Sequence, residues 1–188
     1  MSVAAVFLDR DGTLVEEGGY LDRIDRVVLY PWTIDAIRVL NRAGLRVVLL
    51  TNQAGVARGY FPEAVVAEIH AYLDARITEG GARIDAYYYC PHHPDGTVAE
   101  YAKRCNCRKP ARGLVDRAVE DLGVDPATSF VVGDRWHDIR LARVVGARGL
   151  LVRTGFGASE ERRAPADLAA DAVVDNLAQA SSWILQHL

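Results

Sequence analysis

Cysteine is scarce in this sequence of 188 residues: there are three, Cys90, Cys105 and Cys107, clustered in one short stretch. An odd, clustered set does not make a disulfide framework and points to metal or redox chemistry instead. Charge of one sign is not in excess either, since 22 Lys and Arg face 25 Asp and Glu for a formal net charge of -3. That balance gives no electrostatic case for nucleic acid or an anionic membrane surface as a partner. Long hydrophobic runs are missing. Val47-Val48-Leu49-Leu50 is typical, strand-sized and bounded by polar residues, so no transmembrane segment is expected. The first residues lack a basic region and are interrupted by Asp9, which does not fit a secretion signal and makes the cytoplasm the expected compartment. No internal repeat and no low-complexity segment is evident.

What is present is an alternation of short apolar runs with helical patterns, in a chain of the size of one domain. Strands are predicted at Val3 to Asp9, Leu45 to Thr51, Ile84 to Cys90, Phe130 to Gly133 and Gly149 to Val152. Helices are predicted at Thr33 to Ala43, from Pro62 to about Thr78, Gly113 to Leu122, His137 to Val145 and Asn176 to Leu188, with residues 155 to 170 as loop. Such alternation predicts an α/β fold, a Rossmann-like doubly wound parallel sheet. Sheet and helices consume nearly all 188 residues, leaving no room for a separate cap domain. A single domain is expected, its open site shaped by residues 16 to 30 and by the segment from Cys90 to Pro110.

In such sheets ligands bind beyond the carboxyl ends of the strands. The residues there are Asp9-Arg10-Asp11-Gly12-Thr13, Thr51-Asn52-Gln53, Arg108-Lys109 and Gly133-Asp134-Arg135. Asp9 and Asp11, two apart, point to the same side, and carboxylates that close need a cation or a shared proton. A tight turn at Asp11-Gly12 is the competing explanation, but no partner hairpin strand follows. Thr51 alone reads as a turn residue, Lys109 as a solvated lysine and Asp134 as a helix N-cap. Their joint occurrence at strand ends, in this order, changes the weighting.

That four-part pattern resembles the haloacid dehalogenase-like (HAD) phosphohydrolases. The resemblance implies that Asp9 is a nucleophile attacking phosphorus, and that Asp11 is its general acid and base. It implies that Asp9, Asp134 and the backbone carbonyl of Asp11 hold Mg2+, and that Thr51 and Lys109 neutralise the transferring phosphoryl group. Asp138, one helical turn beyond Asp134, is expected to orient Lys109 or a metal-bound water.

A second constellation is Cys90-Pro91-His92-His93-Pro94 followed by Cys105-Asn106-Cys107-Arg108-Lys109-Pro110. Four N/S ligands suit a closed, structural Zn2+ site, although His93 is also within reach in sequence. Free thiols or a Cys105-x-Cys107 redox pair are the alternatives, but zinc alone would order a loop this long and aperiodic. With the Gly19-Tyr20 and Thr51-to-Gly59 segments, this loop resembles the D-glycero-D-manno-heptose 1,7-bisphosphate 7-phosphatases. That resemblance implies Zn2+ on Cys90, His92, Cys105 and Cys107. It implies substrate contacts at Glu17, Gly18, Gly19, Tyr20, Asn52, Gln53, Ala54, Arg108 and Arg135. A sugar phosphate is the expected small-molecule partner, met by a monomer. Histidinol-phosphate phosphatases carry a similar loop and are the alternative within the class. A phosphoacceptor signalling module is the alternative outside it, disfavoured by Asp11. No role falls to Trp136 or His137.

Overall fold

A computed structural model describes residues 3–188. Six parallel strands form one sheet: β1 (Ala5–Leu8), β2 (Arg46–Asn52), β3 (Ala86–Cys90), β4 (Phe130–Gly133), β5 (Arg148–Val152) and β6 (Ala172–Val174). Their spatial order is β3-β2-β1-β4-β5-β6. The helices are α1 (Thr33–Arg42), α2 (Ala54–Ala57), α3 (Ala64–Glu79), α4 (Gly113–Leu122), α5 (Trp136–Val145), α6 (Gly157–Glu161) and α7 (Leu177–Gln186).

The central strands are apolar at consecutive positions because both faces of the sheet are covered. Val6, Leu8, Val47 and Leu49 point into one core layer with Ile37 and Leu40 of α1, Ile69 and Leu73 of α3 and Ile184 of α7. Their chain neighbours Ala5, Phe7, Val48 and Leu50 point into the other, against Leu114 and Val115 of α4 and Leu141 of α5. Each strand therefore feeds two cores with period two. Burial of this kind, worth roughly 25 cal/mol per Å² of apolar surface, holds the strand ends in fixed positions.

The doubly wound parallel sheet is as the sequence predicts, with four departures, one of them the four-residue helix α2, which shows no period of its own. β6 is a sixth strand, only three residues long and half-buried, too short to give an apolar run. Helix α3 begins at Ala64 rather than Pro62. Residues 155 to 170 are not all loop, because α6 lies within them. Glu160 of α6 reaches across to the start of α5: its carboxylate accepts the Trp136 backbone N–H (3.0 Å) and its carbonyl accepts the Trp136 indole Nε1–H (2.8 Å). Trp136 thus has a structural task, fastening α6 to α5. No helix among the described residues is long and apolar enough to cross a membrane.

The strand order reverses between β1 and β4, the neighbours on either side of the switch in winding. Clefts open at such switch points, beyond the carboxyl ends of the strands. Asp9 follows β1 and Asp134 follows β4, so the two carboxylates predicted from separate parts of the chain sit side by side.

Candidate active site

The first strand sets the base of the site. Asp9 donates its backbone N–H to the carbonyl of Val132 at 3.0 Å, extending the β1–β4 ladder by one residue. Its side chain is left facing Lys109, whose Nζ lies 2.8 Å from Asp9 Oδ1, 2.7 Å from Asp138 Oδ1 and 2.7 Å from the carbonyl of Leu50. Lys109 is almost wholly buried, donating to Asp9 and the Leu50 carbonyl and paired in charge with Asp138. Asp138 stands beside Lys109 as a buried ion-pair partner.

Asp9, Asp134 and Asp138 each offer a carboxylate oxygen within 4.8 Å of the others, all three buried. Burial pushes the Asp9 carboxyl up to about 7, with Lys109 opposing and Asp138 and Asp11 adding to the rise. Burial likewise pushes Asp134 up to about 8, with Asp9 contributing next. Asp138 also pays for burial, but Lys109 and then His137 bring it below the ordinary carboxylate range. Buried carboxylates that disfavour one another's charge are a donor set for a hard divalent cation.

Asp134 is confined by backbone. Its Oδ2 accepts the Phe156 N–H at 2.8 Å. A Cβ at Gly12, which has φ +78°, would come within 2.2 Å of that oxygen, and one at Gly155, with φ +56°, within 2.3 Å. Glycine is needed at both positions, for conformation and for space.

Asp11 is held from the protein side. Arg10, fully buried, donates from Nε to Asp11 Oδ1 at 3.0 Å and from Nη2 to Oδ2 at 2.9 Å. Gln53 Nε2 donates to Asp11 Oδ2 at 3.0 Å and to Thr51 Oγ1 at 2.7 Å, while its Oε1 accepts from Arg10 Nη2 at 3.0 Å. Asp11, Gln53 and Thr51 therefore form one network, with Arg10 as its buried anchor.

A cavity of about 380 Å³ opens above this floor, lined by Asp9, Asp11, Glu17, Gly19, Tyr20, Thr51, Asn52, Gln53, Ala54, Arg108 and Arg135 among others. Every substrate contact expected from the sequence reaches it except Gly18. That residue turns its carbonyl away to accept from Arg26 Nη2 at 2.9 Å. Arg135 lies over the ring of Phe156, 3.8 Å from its centroid. The lining also includes Leu21, Arg58, His93, His137 and Phe156, which sequence reasoning does not assign to the substrate. Leu21, Arg58 and His93 lie inside segments that the sequence reading singles out for other reasons, whereas nothing local marks His137 or Phe156 as facing a cavity.

Beside the cavity, Cys90, His92, Cys105 and Cys107 bring their ligand atoms within 4.8 Å of one another. Cys107 Sγ lies 3.2 Å from Cys90 Sγ, 3.3 Å from Cys105 Sγ and 3.3 Å from His92 Nδ1. Four soft and borderline ligands at near-tetrahedral spacing fit zinc. His93 is not in this cluster and turns into the cavity instead.

The sheet with its switch-point carboxylates, buried lysine and strand-end threonine is that of a HAD-like hydrolase. A family model described as HAD-hydrolase-like matches residues 106–180. The D-glycero-beta-D-manno-heptose-1,7-bisphosphate 7-phosphatase of Yersinia pestis is 42% identical over 93% of this chain and 93% of its own length. The protein of the same name from Escherichia coli K12 is 41% identical, over 94% and 91%. A crystal structure of the D,D-heptose 1,7-bisphosphate phosphatase from B. bronchiseptica, complexed with magnesium and phosphate, superposes with a TM-score of 0.85 at 32% identity, covering all of both chains. The chain belongs to the D-glycero-beta-D-manno-heptose-1,7-bisphosphate 7-phosphatase family, phosphatases of the HAD superfamily that hydrolyse phosphate monoesters.

Proposed function

We propose that this chain removes the C7 phosphate of D-glycero-beta-D-manno-heptose 1,7-bisphosphate through an aspartyl-phosphate on Asp9. The observation that carries the reading is the buried Asp9–Lys109–Asp138 array at the floor of a cavity walled by Arg58, Arg108 and Arg135. The Lys109 ammonium at the floor and the arginine wall suit a substrate anionic at two ends, even though the protein as a whole is mildly acidic.

Asp9 attacks phosphorus, and the bond to the sugar oxygen breaks. Asp11 hands that oxygen a proton, freeing the alcohol, and then takes a proton from the water that attacks the aspartyl-phosphate. Inorganic phosphate leaves and Asp9 is restored. Arg10 and Gln53 aim the Asp11 carboxylate through both half-reactions. Thr51 and Lys109 meet the negative charge on the phosphoryl oxygens, with Lys109 held in line by Asp138. Asp9, Asp134 and the Asp11 carbonyl would hold Mg2+, which when bound offsets charge between nucleophile and phosphoryl group. Cys90, His92, Cys105 and Cys107 would hold a structural Zn2+ that orders the loop leading into Arg108-Lys109. The chain works as a cytoplasmic monomer.

The test is phosphate release across a panel holding the heptose bisphosphate and histidinol phosphate, with Mg2+. Higher kcat/KM on the heptose bisphosphate is expected. Equal or better turnover of histidinol phosphate overturns the substrate assignment, and a long-lived phosphoprotein in the wild type favours a phosphoacceptor module instead.

A further inference from the structure

Arg58 and His93 meet in the cavity in an arrangement that lacks a partner. The backbone N–H of Asp95 donates to His93 Nδ1 at 3.1 Å, so Nδ1 is the acceptor and Nε2 carries the ring's N–H. Yet Arg58 Nη2, a donor only, lies 3.4 Å from that same Nε2. Two donors thus face one another with no acceptor between them. Arg58 Nε is also shielded from solvent and without a hydrogen-bond partner.

Both residues are fixed from behind. Thr97 Oγ1 donates to the Arg58 carbonyl at 3.0 Å, and the N–H groups of Thr97 and Val98 donate to the Ala57 carbonyl at 2.8 and 3.0 Å. The His93 N–H donates to the Tyr101 carbonyl at 3.2 Å. The pair is held in place by the Cys/His loop, and both side chains line the cavity that contains Asp9. An oxygen with spare lone pairs is the group that satisfies two converging donors, and an anionic one satisfies them best beside a guanidinium.

We propose that Arg58 and His93 bind oxygens of the phosphate that stays on the substrate, and so set the preference for a bisphosphate over a monophosphate. This rests on the heptose bisphosphate reading above. It adds Arg58 and His93 to the contacts expected at Arg108 and Arg135, and ties selectivity to the loop that carries His93.

The experiment compares kcat/KM for the heptose 1,7-bisphosphate and for the heptose 7-phosphate in wild type, Arg58→Gln and His93→Gln. Arg58→Gln should lower the bisphosphate-to-monophosphate ratio by about tenfold or more, the range of one charge-assisted hydrogen bond, and chiefly through KM. His93→Gln should shift it the same way by less. Parallel loss on both substrates, or a ratio that does not move, overturns the inference while leaving the substrate reading standing. A wild type without preference for the bisphosphate overturns both. If Arg58→Gln does not fold, Arg58→Lys, which keeps the charge and loses the planar fork, is read in the same way.

Discussion

The side-chain amide of Asn52 clasps the backbone of Lys109: Oδ1 accepts the Lys109 N–H at 3.0 Å and Nδ2 donates to the Lys109 carbonyl at 3.1 Å. Fifty-seven positions apart in sequence, the two are locked into a reciprocal pair at the carboxyl end of β2. The clasp fixes where the lysine chain starts, and Asp9, Asp138 and the Leu50 carbonyl fix where it ends. Asn52→Ala should therefore lower kcat by roughly ten- to a hundredfold, the range expected when two hydrogen bonds to a positioned group are lost. Steady-state kinetics with a circular dichroism check of folding would measure it. An unchanged kcat would mean that Lys109 needs no clasp.

How much of this was legible depends on locality. Asp9, Thr51 and Asp134 stand directly after apolar runs, and a parallel sheet brings such strand ends together whatever lies between them. Asp138 was legible as a helical neighbour of Asp134. Arg10 was not, because an arginine beside two aspartates reads as solvated until the fold buries it against Asp11 and Gln53. Arg58 and His93 meet only when the Cys/His loop folds back on α2. Gly18 is expected in the site only through the family resemblance, and its carbonyl faces Arg26. β6 and α6 escaped notice because three and five residues are too few to show a period.

The raised carboxyls make stability depend on pH and on the cation. Burial pushes the Asp9 carboxyl up to about 7 and the Asp134 carboxyl up to about 8 in the folded chain, against 3.8 for an unperturbed aspartate. Between these limits the folded state binds more protons than the unfolded one, so stability falls as pH rises from about 4 to about 8. Without Mg2+, this pair should make the protein melt at a lower temperature at pH 8 than at pH 6. Added Mg2+ should raise Tm more at pH 8, where both carboxylates are free to bind it. Differential scanning fluorimetry at the two pH values measures this, and Asp134→Asn should flatten the Mg2+ response. A Tm gain that is equal at both pH values would separate the cation from these carboxyls.

Gly12 and Gly155 offer a sharper probe of Asp134. Each approaches Asp134 Oδ2 closely enough that a single added carbon would displace the carboxylate, and each has a positive φ. Gly155→Ala should thus raise the Mg2+ concentration needed for half-maximal activity, with a far smaller effect at saturating Mg2+. Titrating activity with MgCl2 reads the shift. An unchanged midpoint would show that Asp134 can move aside without cost.

The Cys/His loop makes a prediction that reaches from metal to chemistry. Cys90 ends β3 directly beside Asn52 in the sheet, and its carbonyl accepts the Gln53 N–H at 2.7 Å. Cys107 is two residues before Lys109. The loop is also tied down at its far side, where Glu63 accepts hydrogen bonds from the hydroxyls of Tyr89 at 2.9 Å and Tyr101 at 2.7 Å. A zinc ion on the four ligands would therefore tie the end of β3 to the chain entering Arg108-Lys109, next to the Asn52 clasp. Metal analysis of purified protein should find about one zinc per chain in wild type and little in Cys107→Ala. The variant should melt at lower temperature and turn over more slowly, while Glu63→Gln, which leaves the ligands intact, should keep its zinc. A zinc-free protein with full activity and unchanged Tm would detach the loop from the catalytic floor.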